Sequence, residues 1–222
     1  MTDDQTLLDF IARRYTSHLE DAATDALYFI LSRSETALAT LADFLGDGQA
    51  PLPIADVQSQ LVLELGAMPD LTCIDAGGNV VALIESKFWA PLTKNQPVTY
   101  WKELSANQPS ALLFLAPDDR VNPDSQDSLW KELLKRLGKA GHELDISHLG
   151  CNLKTATGKG GHRRLVLASW SLLLDLVAQQ VSAAGDQRTS FEIDQLRGLA
   201  ETAIAGDHSL HDQKLKALVK RP

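Results

Sequence analysis

The segment MPDLTCIDAGGNVVALIESKF, residues 68–88, sets Asp70 before one short apolar stretch and Glu85 and Lys87 at the end of another. Residues two apart on a strand project from the same face, so Glu85 and Lys87 point together, and a hairpin lets Asp70 join them. Two carboxylates and an amine on one sheet face are costly to bury without a further component. A divalent cation resolves the conflict. The carboxylates bind Mg²⁺, with Mn²⁺ as a substitute, and the amine stands near the water that the metal activates. Such a set suits phosphodiester hydrolysis, which needs an in-line water, neutralisation of transition-state charge and stabilisation of the leaving 3′ oxygen.

The elements that must hold these residues follow from periodicity. Residues 5–45 predict helices, with Leu7, Leu8, Phe10 and Ile11 as a first apolar set and Ala23, Leu27, Phe29, Ile30 and Leu31 as a second. Ser34, with Ala37, Leu38, Leu41, Phe44 and Leu45, predicts a further helix that Gly46 ends. Val57 and the run from Leu61 to Leu65 predict a first strand, broken by Gly66; residues 71–75 and 80–85 predict the next two, joined by a turn at Ala76-Gly77-Gly78-Asn79. Gln96 and Pro97 open a helix within 91–104, and the wholly apolar 111–115 predicts a strand covered on both faces. An amphipathic helix over 129–137, a fifth strand over 164–167, a helix over 171–181 and a last helix after Ser190 complete the order. That order is an α/β sandwich around a mixed sheet, in a single domain spanning 1–222.

Pro69-Asp70, a spacer of fourteen residues and Glu85-Ser86-Lys87 resemble the PD-(D/E)XK nuclease superfamily, whose spacer is likewise a turn and an apolar strand. Nine residues after Lys87, Gln96-Pro97-Val98-Thr99-Tyr100 resembles the Q-x-x-x-Y motif of one subgroup. Positions four apart share a helix face, so Gln96 and Tyr100 can both look back at the site. The resemblance covers about residues 15–120. It implies a restriction endonuclease-like fold with core order α-β-β-β-α-β and extra helices, and a Mg²⁺-dependent nuclease. In it Asp70 and Glu85 bind metal, Lys87 assists the water, and Gln96 with Tyr100 place the substrate. It also implies an acidic residue from the first core helix near the metal. Glu20 is the choice, with Asp21 and Glu35 as alternatives. DNA is the expected substrate and RNA stays open. The likeness extends to small single-domain nucleases of bacterial genomes, some linked to defence against foreign DNA; DNA repair is another setting. A partner protein supplying specificity, or a second copy cutting the other strand, fits such an enzyme. The alternative is a non-catalytic nucleic-acid-binding or assembly subunit on the same fold.

Composition limits the remaining readings. A net charge of -8 argues against non-specific coating of DNA, so contact must come from a local basic patch or a partner. The start of the chain lacks the pattern of a signal peptide, and no apolar run reaches the roughly 18 residues of a membrane span, so the expected address is the cytoplasm. Cys73 and Cys151 are expected to be free, buried thiols. Glu64 is either an extra metal ligand or a solvated acid. Trp89 and Trp101 either stack on bases or pack in the core, and Lys94 and Lys102 either touch phosphate or are simply solvated. Gly158-Lys159-Gly160-Gly161 reads as a hairpin, not a nucleotide loop; His142, His148 and Cys151 lack zinc spacing; Lys214 to Arg221 reads as a frayed, solvated end.

Overall fold

The computed structural model describes residues 8, 12, 18–46, 48, 50–94, 96–122 and 129–219, with side chains through residue 205. Helices α1 (Leu19–Leu31) and α2 (Glu35–Leu45) come first. The Ser34 side chain accepts from the Ala37 amide at 3.3 Å, the N-cap bond that starts α2. Strands β1 (Asp56–Ser59), β2 (Leu71–Ile74) and β3 (Val80–Ser86) follow, then α3 (Val98–Glu103), β4 (Ser110–Ala116), α4 (Asp118–Val121) and α5 (Leu129–Lys139). Strands β5 (Leu144–Leu149), β6 (Leu153–Gly158) and β7 (Arg163–Ser169) lead to helices α6 (Trp170–Ala183) and α7 (Gln187–Val219).

The seven strands form one sheet in the order β1-β2-β3-β4-β7-β6-β5. The pairs β3/β4 and β4/β7 are parallel, and the pairs β1/β2, β2/β3, β7/β6 and β6/β5 are antiparallel. Every residue of β4 is buried, as a strand with helices over both faces must be. Ala82, Ile84, Leu113 and Val166 look toward α1, α2, α6 and α7, while Leu83, Leu112, Phe114 and Leu165 look toward α3 and α5. The protein is therefore a mixed α/β sandwich.

The β2–β3 turn is set by Asp75, whose Oδ1 accepts from the amides of Gly77 and Asn79, both at 2.8 Å. Those bonds favour the ionised carboxylate, with the Asn79 side chain the largest contribution, and hold Asp75 below the usual range. Gly78 takes φ +81°, where a side chain would be strained.

Five expectations change. The apolar run over 61–65 is not a strand: the Leu63 amide bonds to the Ala67 carbonyl at 2.8 Å and Gly66, at φ +77°, closes a reverse turn, so β1 ends at Ser59. One predicted fifth strand is three, because β5 and β6 precede β7; Gly158-Lys159-Gly160-Gly161 belongs to the β6–β7 connection. Helix α3 starts at Val98, leaving Gln96 ahead of it. Cys73 is buried, and burial pushes its thiol up to about 12, but Cys151 is exposed. Helix α7 continues in its backbone to Val219, through the start of the predicted frayed end. Apart from Leu8, the apolar set at residues 7–11 lies outside the described residues. Among the described residues, no helix is long and apolar enough to cross a membrane.

Candidate active site

Leu71 faces Ile84 across the β2–β3 pair, so the next antiparallel partners outward are Asp70 and Glu85. From Leu83 the alternation of β3 carries Glu85 and then Lys87 onto the α3/α5 side. The Lys87 amide extends the parallel pairing with β4 by donating to the Leu115 carbonyl at 2.7 Å. Asp70, Glu85 and Lys87 thus meet at one end of the hairpin, as their spacing predicts.

The contacts are close. Lys87 Nζ lies 2.7 Å from Glu85 Oε1, and Asp70 Oδ2 accepts from the Ser86 amide at 2.7 Å. Glu85 is 4% exposed and Lys87 8%, so this pair is largely desolvated. Gln96 Nε2 donates to Glu85 Oε1 at 2.6 Å and to the Tyr100 hydroxyl at 3.1 Å, while Gln96 Oε1 accepts from the Thr93 amide at 3.1 Å. Tyr100 in turn donates to the Met68 carbonyl at 3.0 Å. Burial and then the Glu85 charge push its phenol above the usual range, so it stays a donor. Gln96 therefore reaches both neighbours without sharing a helix face with Tyr100, because the turn before α3 brings its side chain in.

The electrostatics are those of two acids held together. Burial, and next the charge of Glu85, push Asp70 up to about 7, against the Ser86 amide and Lys87. Among the described residues, Glu85 Oε2 is buried with no hydrogen-bond partner. An acceptor oxygen lacking a donor, beside a carboxyl that holds its proton so tightly, fits a divalent cation. Among the described residues no group of three or more His, Cys, Asp or Glu side chains is placed to hold a metal. From α1 the charge of Asp21, whose carboxylate also lies 4.0 Å from His18, adds a small push on Asp70 in the same direction as that of Glu85. Glu20, one residue earlier and half-buried, offers its carbonyl to Thr24, and Glu35 is exposed at the start of α2. Asp21 is thus one acid of α1 whose charge reaches Asp70, as the smallest of the influences on it.

Comparison with protein-family models, curated proteins and solved structures found no match.

Two arginines with no visible motif complete the site. Arg120 Nη1, on α4, donates to the carbonyls of Lys87 at 3.1 Å, Phe88 at 2.9 Å and Ala90 at 3.0 Å. Arg136, on α5, donates to the carbonyls of Gln96 at 2.9 Å and Leu92 at 3.2 Å, and also to that of Thr93. Together they pin the segment 87–96, which carries Lys87 at one end and Gln96 at the other. Glu132, four residues before Arg136 and ion-paired with it, was the faint sequence cue for the second; nothing flagged Arg120.

Of the remaining candidates, the two tryptophans pack in the clusters and the charged side chains lie at the surface. Trp101 is buried in the α3/α5 cluster, and Trp89 packs on the other cluster with its indole donating to the Ile204 carbonyl at 2.9 Å. Glu64 and Lys94 are exposed, and Lys102 lies within electrostatic reach of His142. Chemically, the arrangement presents paired carboxylate oxygens for a cation and an ammonium group beside them for an anion.

Proposed function

We propose that the chain is a metal-dependent nuclease, on a restriction endonuclease-like variant of this sandwich, that hydrolyses phosphodiester bonds of DNA. The observation that carries the reading is Glu85: buried, shared by Lys87 and Gln96 through one oxygen, and left with a second oxygen that meets no donor among the described residues. The order of a helix, three antiparallel strands, a helix and a parallel strand supports the fold assignment.

Asp70 and Glu85 would hold Mg²⁺, with Mn²⁺ as a substitute. When bound, the cation supplies acidification of water and neutralisation of charge on the phosphate. Lys87 donates hydrogen bonds to the attacking water or to a non-bridging phosphate oxygen, where negative charge grows. Gln96 donates to the same Glu85 oxygen that Lys87 meets, and so holds the Glu85 rotamer. Tyr100 ties this pair to the loop that precedes Asp70. Arg120 and Arg136 act through the backbone and are positioning residues.

The test is degradation of linear, circular and single-stranded DNA, and of RNA, by purified protein with Mg²⁺ or Mn²⁺. Lys87→Ala should leave the circular dichroism spectrum intact and lower cleavage by about two to three orders of magnitude. Equal rates for variant and parent would refute the assignment. The net charge of -8 favours a second reading, a non-catalytic assembly subunit. Calorimetry separates them: a nuclease binds Mg²⁺ in a manner that Asp70→Asn abolishes, and an assembly subunit shows no carboxylate-dependent heat.

A further inference from the structure

Val62, Leu65 and Met68 are 65%, 57% and 55% exposed, three large apolar side chains within seven residues on the loop that delivers Asp70. Their backbone is not loose. Besides the turn that Leu63, Gly66 and Ala67 close, the Gln60 amide donates to the Asp70 carbonyl at 3.0 Å and the Leu65 amide to Glu103 Oε1 at 2.6 Å. Ala67 and Pro69 are buried, and Leu63 packs on the α3/α5 cluster. Holding apolar side chains in water on an anchored backbone opposes the hydrophobic effect, so three of them on the loop beside Asp70 offer a contact surface.

Position and charge say what that surface takes. Met68 is two residues from Asp70, and the hydroxyl that holds its carbonyl belongs to Tyr100, which Gln96 links to Glu85. Residues 60–70 contain Glu64 and Asp70 and no Lys or Arg, in a chain of net charge -8. Phosphate attraction is therefore weak at this rim, and what it can grip is the apolar face of a base. Bases stacked in a duplex hide those faces, and unstacked bases present them.

We infer, resting on the nuclease reading above, that residues 61–68 form an apolar lip that seats unstacked bases beside the scissile phosphate. The substrate class is then single-stranded or splayed nucleic acid. Affinity comes more from base contact than from counterion release, which also accounts for an acidic protein acting on a polyanion.

The experiment uses the full chain, one oligonucleotide sequence as a single strand and as a blunt duplex, and 2-aminopurine placed next to the cleavage position. The single strand should be cut in preference to the duplex. Its binding should show a slope of log K against log salt of about -2 or shallower, the slope of two to three phosphate contacts on a single strand. Val62→Ser, Leu65→Ser and Met68→Ser combined should raise KM for the single strand on the order of tenfold and abolish the 2-aminopurine fluorescence change, with the melting temperature retained. The Lys87→Ala protein, its lip intact, should keep that fluorescence change without cutting. If cleavage depends on Lys87 but the triple variant keeps the parent KM, the lip is overturned and the nuclease reading stands. If no nucleic acid is cut by any form, the nuclease reading fails, and the fluorescence arm alone decides whether the lip grips bases. A triple variant altered only in size-exclusion volume or in sedimentation with anionic vesicles assigns the lip to a protein or a lipid, and that too overturns it.

Discussion

Asp70 holds its proton because burial and the neighbouring Glu85 charge disfavour the ionised form, raising it from 3.8 to about 7. Between those values the folded protein binds a proton that the unfolded chain has released. The stabilisation is complete below about pH 4 and is lost as pH rises through about 7. In chelator, the melting temperature of the parent should therefore fall relative to that of Asp70→Asn from pH 4 to pH 7, since asparagine has no proton to lose. Mg²⁺ should reverse the parent's deficit above pH 7 and leave the variant unmoved. Thermal melts across that pH series check both, and parallel curves for the two proteins would remove Asp70 from the site. At this scale the chain was readable: alternate positions on one strand put Glu85 and Lys87 together, and the turn at Asp75 folds Asp70 onto them. Among Glu20, Asp21 and Glu35 the sequence offered no single choice, because neighbouring acids at the start of a helix differ only in which way each points, and packing decides that.

The segment 87–96 is irregular, yet it carries two residues of the site. Arg120 bonds three of its carbonyls, so Arg120→Ala should destabilise the protein by about 3 kcal/mol as buried acceptors lose their donor. Arg120→Lys keeps the charge but not the fork-shaped reach. Measured well below its own melting temperature, it should show kcat lowered about tenfold with KM moving less, whereas a merely structural role would leave kcat of the folded protein unchanged. These contacts escaped sequence reading because they run from a side chain to backbone carbonyls, which every residue type offers. The strands show the same divide. β4 is apolar at nearly every position and is announced by its composition; β5 is exposed along most of its length and β6 buries Lys154 and Thr155, so neither carries an alternating pattern. Over 61–65 the apolar content suggested a strand, but those side chains split between core and solvent around a turn.

Two apolar clusters, one on each side of the sheet, carry much of the stability of the molecule, and the end of β3 that bears Glu85 is suspended between them. Leu113 is fully buried on the face covered by α1, α2, α6 and α7, on the strand next to the one bearing Glu85. Leu113→Ala should cost about 2–5 kcal/mol, read as a lower urea midpoint at an unchanged slope, with Mg²⁺ binding retained at low temperature. A changed metal affinity would mean that the site is deformed along with the core. The α/β class was legible from the alternation of helical and strand patterns, whereas the sheet order was not: pairing distant strands depends on which edges remain open once local hairpins have formed.

That order has a consequence for synthesis. β7 lies between β4 and β6, yet it follows two further helices and a hairpin strand pair along the chain. As the polypeptide leaves the ribosome, β1 to β4 can assemble early, and the outer edge of β4, apolar on both faces, then waits without a neighbour until the Arg163–Ser169 stretch emerges. An uncapped hydrophobic strand invites pairing with other nascent chains. Translation speed between those two strands, and the holding capacity of cellular chaperones, thus set the yield of native protein.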